Sequence, residues 1–278
     1  MAITIAHGDP YTVWVPVYDS TQIFNGDIVT WNAATASGRN GVILYPQADG
    51  VMNVPNYNAP FGVVIGNNEK SPRFDTTSKA EYTTAAAATD PHDGSAREYV
   101  GHEGPWSKGD QRAMVKIAVI TPSTLLRAPL YDALVGVAPT LLTSTNTSSS
   151  GLGCVTNAAQ QTPVDGLTTI YCRSGSNAGI YRVVSSTDTA THTWDWAMPH
   201  DIAIGDTFVL VNVTVGISYV RIGNNTTASF IDISEDAATN YDIITVTRLD
   251  LREAGKEFCE FFFTPVSMTP DDIQRGAT

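Results

Sequence analysis

Charge is scarce in this sequence, and basic charge most of all. Only 16% of its 278 residues are Asp, Glu, Lys or Arg, where about 25% is usual in soluble domains. Lys and Arg together number 16 against 28 Asp and Glu, a formal net charge of −12. No stretch concentrates the basic residues. Binding a phosphate backbone needs clustered Lys and Arg, so direct nucleic-acid binding and docking on an anionic membrane surface are both disfavoured. The acidity favours electropositive partners.

Cysteine is equally sparse. Cys154, Cys172 and Cys259 are odd in number and scattered, which is neither a disulfide framework nor a zinc pattern. The expected state is three buried or half-buried free thiols, with a Cys154–Cys172 bridge as the alternative. Long apolar runs are missing too. Nothing approaches the roughly 18 residues that span a bilayer. The start, Met1-Ala-Ile-Thr-Ile-Ala-His7, has no basic region followed by an apolar one, so no secretory signal is expected.

The catalytic signatures fail in turn. A nucleophile elbow needs G-x-S-x-G at a strand-to-helix turn. The nearest string, Gly175-Ser-Asn-Ala-Gly179, has Asn177 at its centre. There is no phosphate-binding G-x-x-x-x-G-K-[ST] loop and no dinucleotide fingerprint in a βαβ setting. Two groups hold plausible metal ligands: His92, Asp93, His102 and Glu103, then His192, Asp195, His200 and Asp201. Neither has a recognised spacing. Among 28 acids no pair stands out as a glycosidase couple. The expectation is a protein that is not an enzyme, with no catalytic, cofactor-binding or metal-binding residues.

What the chain does have is β-branched and apolar residues in short alternating runs. In Thr12-Val-Trp-Val-Pro-Val-Tyr18, Val13, Val15 and Val17 recur at period two, the signature of a strand. Pro16 cannot donate to a ladder, which suggests a sheet edge. Ile28–Trp31, Gly41–Tyr45, Val51–Val54, Phe61–Ile65 and Ala113–Ile120 follow, separated by turn residues; the last reads as a central strand. Residues 67–105 read as a long surface excursion in which Thr83–Thr89 suits one or two helical turns or an extended loop. A Gly-Asp turn delivers the chain into a strand three times, at Gly26-Asp27, Gly109-Asp110 and Gly205-Asp206.

After Pro122 the texture changes. Ser123–Leu134 suggests a short helix interrupted at Pro129, and the polar run Thr143–Ser150 a flexible hairpin tip or linker. Strands then resume at Thr168–Cys172, Gly179–Val184, Thr191–Trp196, Thr207–Val211, Gly216–Ile222, Phe230–Ile233, Ile243–Thr247 and Cys259–Phe263. Thr269-Pro-Asp-Asp-Ile-Gln-Arg275 begins like a helix, with a Thr cap, Pro at the first position and acids in the first turn.

The expected fold is therefore mainly β, with two β-barrel or β-sandwich-like domains, long loops and very little helix. The domains are residues 1–122 and residues 123–278, the second closing with the short C-terminal helix. Candidate interaction residues are Tyr11, Trp14, Trp194, Trp196, Phe261 and Phe263. Trp194 and Trp196, two apart in the strand Thr191–Trp196, are expected on one face, where they form either sheet core or a platform for a sugar or a subunit. Phe261-Phe-Phe263 points apolar groups both ways and needs cover on both faces.

Gly26-Asp-Ile-Val29, Pro60-Phe-Gly-Val-Val64 and Gly109-Asp110 leading into Val115-Lys-Ile-Ala-Val119 give the first part of the chain its resemblance: it is similar to the small β-domain of capsid decoration (cement) proteins of tailed bacteriophages. Leu126–Tyr131, Gly136-Val-Ala-Pro139 and Gly179–Ser186 also resemble phage and prophage structural proteins. The resemblance implies a virion protein made in the host cytoplasm and bound to the capsid exterior. Its implied partners are the major capsid protein and further copies of itself as a dimer or trimer, with no cofactor, no nucleic acid and no membrane. Terminal arms, residues 1–12 and 264–278, are the expected bridges between capsomers. A head-fibre, tail or receptor- or carbohydrate-binding component is the alternative.

Overall fold

The computed structural model describes residues 3–16, 22–23, 25–32, 41–45, 60–66, 92–93, 114–131, 139, 141–157, 166–188, 190–224, 229–233 and 242–265. Among these residues there are twenty strands and no helix. The fold is mainly β, as the alternating runs require, and it is spread over several sheets rather than rolled into a closed barrel. Thr83–Thr89, Gly109-Asp110 and the expected C-terminal helix lie outside the described residues.

The chain divides into two compact units. One holds Ala2–Leu126, Asn224–Ser229 and Phe263–Thr278; the other holds Arg127–Gly223 and Phe230–Phe262, together with Met1. Where the sequence suggested a single cut between residues 122 and 123, the chain crosses from one unit to the other and back.

The first unit contains β1 (Thr4–His7), β2 (Thr12–Pro16), β3 (Gln22–Ile23), β4 (Ile28–Asn32), β5 (Gly41–Leu44), β6 (Gly62–Gly66), β7 (His92–Asp93) and β8 (Met114–Val119). Five of these make a sheet of order β2-β8-β6-β4-β5. The Pro16 strand lies at its edge, and β8 is internal. Across β2 and β8, Val13 faces Ile117 and Val15 faces Val115. Val15, Val115 and Ile117 join Ile23, Val29, Val42 and Val64 in the core, with Trp31 set edge-on to Phe61 at 5.7 Å. Ile3 is buried and Thr4–His7 is a strand, so residues 3–7 of the N-terminal segment are not the free arm that the sequence suggested.

The Gly-Asp turns have a physical basis. Gly26 (φ 88°) and Gly205 (φ 93°) both adopt left-handed backbone, which costs a residue with a Cβ far more than glycine. Each is followed by a buried aspartate, Asp27 and Asp206. The Asp27 carboxylate accepts a hydrogen bond from the Ser229 hydroxyl at 3.0 Å. The Ser229 oxygen in turn accepts the Ile28 N–H at 3.1 Å, joining residues 201 positions apart.

The second unit takes most of β9 (Leu125–Tyr131), then β10 (Leu142–Thr143), β11 (Gly153–Val155), β12 (Thr169–Cys172), β13 (Tyr181–Val183), β14 (Ser186–Asp188), β15 (Thr191–Thr193), β16 (Thr207–Val211), β17 (Gly216–Asn224) up to Gly223, β18 (Ser229–Asp232) from Phe230, β19 (Asp242–Asp250) and β20 (Phe258–Phe263) up to Phe262. Strands β9, β18, β17, β19 and β20 are hydrogen-bonded in that order, and β9 also pairs with β20. Between β9 and β17 the chain builds two further sheets, β10-β16-β12-β13 and β11-β15-β14. They share a core of Leu142, Cys154, Ile170, Cys172, Val184, Trp194, Met198, Ile202, Phe208 and Leu210.

Two expectations are corrected here. The short helix suggested across Ser123–Leu134 is replaced by β9. Leu126, Ala128 and Leu130 are buried at period two while Arg127 is exposed, and that alternation outweighs the helix-forming content. Pro129 lies just before Leu130, which pairs with Ile231 of the parallel strand β18. The polar run Thr143–Ser150 is not a linker. Ser144 is buried, donates its N–H to the Asp206 carbonyl and accepts from Gly205 N–H; Ser148 exchanges backbone hydrogen bonds with Ile202. The run is thus held by backbone hydrogen bonds to remote residues, which leave no apolar periodicity in the sequence.

A buried ion pair ties the inserted sheets to the strands that flank them. Arg173, just past β12, donates through Nη2 to Glu257 Oε1 and through Nε to the Leu251 carbonyl at 2.8 Å. Their side chains are 11% and 1% exposed. The Glu257 carbonyl also accepts the Leu130 N–H of β9. Removing one partner of such a pair strands the other charge. Arg173→Met should therefore destabilise the chain by about 3–5 kcal/mol in urea unfolding, while Arg173→Met with Glu257→Leu should recover most of the loss. Equal loss in the single and double variants would show that the pair's role is packing alone.

Candidate functional site

The second unit's surface feature of greatest chemical interest is built around β15. His192 is buried and Thr191 exposed, so Trp194 follows His192 onto the core side at period two. The strand ends at Thr193 and the chain bends at Asp195 and Trp196. The Trp194 indole N–H donates to the Gly151 carbonyl at 2.8 Å within the core. Met198, also buried, donates its backbone N–H to the same carbonyl.

Between these two anchors Trp196 projects outward with 80% of its surface exposed. Its backbone is held by Arg182 of β13. The guanidinium donates through Nε to the Trp196 carbonyl (2.7 Å), through Nη2 to the Ala197 carbonyl (2.6 Å) and through Nη1 to the Tyr181 carbonyl (2.7 Å). A large apolar side chain is thus offered to solvent on a backbone held at the Trp196 and Ala197 carbonyls. Little further conformational entropy is lost when such a group is covered by a partner. Tyr181 and Val183 of β13 are also exposed apolar residues.

The two indoles therefore do not share a face. The i, i+2 rule applies only while a strand continues, and here the bend separates a core tryptophan from a surface one. Of the other candidates, Phe261 and Phe263 are buried, and β20 alternates half-buried with buried positions along its length. Phe263 packs edge-on to Tyr45 at 6.3 Å. Trp14 is half-buried in β2, and Tyr11 is 75% exposed just ahead of that strand. Trp196 and Tyr11 are the accessible members of the set.

Arg182 was missed from the sequence because its acceptors lie 14 and 15 residues away and are carbonyls, which carry no residue-type signal. The end of the strand had a signal, in the turn-favouring Asp195 and in Pro199, which no antiparallel ladder accommodates readily.

The titratable groups nearby are tuned away from reactivity. Cys154 and His192 face each other across β11 and β15, a juxtaposition that in other settings yields a thiolate–imidazolium pair. Here burial, reinforced by Cys172, pushes the Cys154 thiol up to about 12. Burial pushes the His192 imidazole down to about 4. Both groups are neutral, the reverse of what a nucleophilic cysteine needs. Burial likewise raises Cys172 to about 11 and raises Cys259; all three cysteines are free.

The two metal-ligand groups are not assembled by the described residues. His192 is in the core, with Nε2 3.3 Å from the Thr156 hydroxyl, while Asp195, His200 and Asp201 are exposed. His92 and Asp93 form β7; His102 and Glu103 lie outside the described residues. No group of three or more His, Cys, Asp or Glu suited to a metal occurs among the described residues, and no described helix is long and apolar enough to cross a membrane. In comparisons with known proteins the chain matches no family model, no curated protein and no solved structure.

His192 gives a pH test of this core. Its folded value of about 4 lies below the ordinary 6.5, so between those values the unfolded chain binds the proton and the folded chain does not. Stability then falls as pH drops from about 6.5 to about 4, by up to roughly 3 kcal/mol from this residue. Urea unfolding across that range should show the slope in the native chain and a shallower one in His192→Asn. Parallel slopes would mean that the imidazole is not neutral in the folded state.

Proposed function

We propose that this chain is a virion structural protein of the capsid decoration type, which binds the outer capsid surface and stabilises contacts between capsomers. The observation that carries the reading is the exposed Trp196 on its Arg182-clamped backbone. Tryptophan on a rigid support is the side chain most often responsible for protein–protein affinity. The resemblance of Gly26–Val29, Pro60–Val64 and Val115–Val119 to cement-protein β-domains supplies the class of partner. In this reading the chain acts mechanically: an indole enters an apolar recess of the major capsid protein, and the β-units carry the load. Since Ile3 is buried and Thr4–His7 is a strand, the docking element is this loop rather than an N-terminal arm. Further copies of the chain, as a dimer or trimer, would place several such indoles on one site.

The exposed indole also favours one second reading, a head-fibre, tail or receptor-binding component that stacks Trp196 on a sugar ring.

The deciding measurement is the number of copies per purified particle, by quantitative mass spectrometry against the major capsid protein. Copies in simple ratio to the capsid subunit support decoration; a small symmetric number moves the chain to a fibre or tail; none removes the structural role. Trp196→Ala should stay within about 0.5 kcal/mol of native stability yet bind particles lacking the protein at least tenfold more weakly. Unaltered particle binding, with glycan-array signal lost in the same variant, would favour the sugar reading.

A further inference from the structure

A second surface of the same unit carries an ordered row of charge. Arg127 is the exposed residue of β9. Its Nε and Nη2 donate to Glu260 Oε1 on β20, at 3.0 and 2.5 Å. Glu260 also lies 3.9 Å from Arg248 Nη1 on β19. Arg248 Nη2 donates to Asp250 Oδ2 at 3.2 Å, and Asp250 accepts from both Nε and Nη2 of Arg252. The sequence of charges is Arg127, Glu260, Arg248, Asp250, Arg252. Phe258 lies among them, its ring centre 4.5 Å from the Arg127 guanidinium carbon and 5.3 Å from that of Arg248. Both cations lie over the Phe258 ring, and the interleaved carboxylates make their proximity tolerable.

The two signs are not equally accessible. The arginine side chains are 45%, 49% and 66% exposed for Arg127, Arg248 and Arg252. The carboxylate side chains of Glu260 and Asp250 are 12% and 10% exposed. The acids lie beneath and hold the guanidiniums in place. Arg252's hydrogen bonds hold the Asp250 carboxyl below its usual range against the opposing effect of burial, so the row keeps its alternation. What the surface offers outward is three fixed guanidiniums, two of them over a half-buried phenyl ring, in a chain whose net charge is −12.

We infer that this face is a docking site for an extended, carboxylate-rich peptide segment of a partner protein. Charge complementarity selects the occupant. Each guanidinium has five N–H donors in a planar fork, and the internal carboxylates take only some of them. The chemistry already practised in the row is guanidinium to carboxylate, the geometry to which arginine is suited. A second row of carboxylates laid over the first would take the outward N–H groups, while an apolar side chain of the same segment covers Phe258. The chain's overall negative charge opposes approach at long range but is screened beyond about 8–10 Å at physiological salt. The row then governs contact and the net charge slows association. This inference stands on the charged row alone and does not require the capsid reading.

The test is fluorescence anisotropy of fluorescein-labelled hexaglutamate titrated with the full chain at low salt. Hexalysine and a six-nucleotide oligothymidylate serve as competing chemistries. Saturable binding of hexaglutamate is expected, weakened at least tenfold in Arg127→Gln with Arg248→Gln. Arg252→Gln, which alters the most exposed member, should keep the native unfolding midpoint and weaken binding about threefold, by analogy with exposed ion pairs. Absence of saturable binding overturns the inference, as does equal binding by native chain and Arg252→Gln. Tighter binding of the oligothymidylate also overturns it, in favour of a phosphate ligand. Peptide binding by a protein found in no particle would keep this site and discard the capsid role; failure of the peptide with full particle occupancy would do the opposite.

Discussion

Arg173 and Glu257 meet where water scarcely reaches, and much of the second unit is arranged around that encounter. Arg173 follows β12, a strand buried at every position. Glu257 precedes β20 and offers its carbonyl to β9. Nearby, the Tyr181 hydroxyl donates to the Leu249 carbonyl at 3.0 Å, and Tyr171 packs on Tyr181 at 4.6 Å. A charge removed from water has few acceptable positions, so the pair fixes the register between the inserted sheets and the β19–β20 strands more tightly than apolar contact would. The end of β12 and the turn before β20 must arrive together or leave two uncompensated ions.

Arginine recurs in every arrangement that matters here, in three roles. Arg173 is buried and structural. Arg182 donates to three carbonyls and immobilises a loop. Arg127, Arg248 and Arg252 are exposed and braced by acids from below. A chain with only 16 basic residues has placed these where a planar, multiply donating cation organises its surroundings. Lysine, with a flexible stem and a point charge, would serve none of the three roles as well. The exposed indole and the exposed guanidiniums are both preorganised, which is the common physical property of surfaces that recognise other molecules.

The strands of this fold were largely legible, because burial on one face writes alternation into the sequence. Val13, Val15, Val115 and Ile117 announce β2 and β8, and Pro16 announces the edge. Failures came where the determining partner is remote. β9 contains Leu, Ala and Arg, all good helix formers, and its strand conformation is imposed by β18 and β20. Thr143–Ser150 has the composition of a linker, yet its hydroxyls and amides are occupied by Asp206, Ile202 and Val155. Trp194 and Trp196 look alike in sequence; one bend sends them to opposite environments. The charged row draws on Arg127 and Glu260, 133 positions apart, and nothing local marks either as special.

Ser229 reaches back to Asp27 and Ile28 across 201 positions, and this has a consequence in time. At synthesis rates of about 5–20 residues per second, roughly 10–40 s separate the appearance of the two ends of that contact. Throughout that interval the N-terminal unit exists without one of its own pieces, and the inserted sheets are made while it waits. The chain therefore cannot mature strictly from its beginning. Its first unit is finished from behind, by a residue made after the inserted sheets.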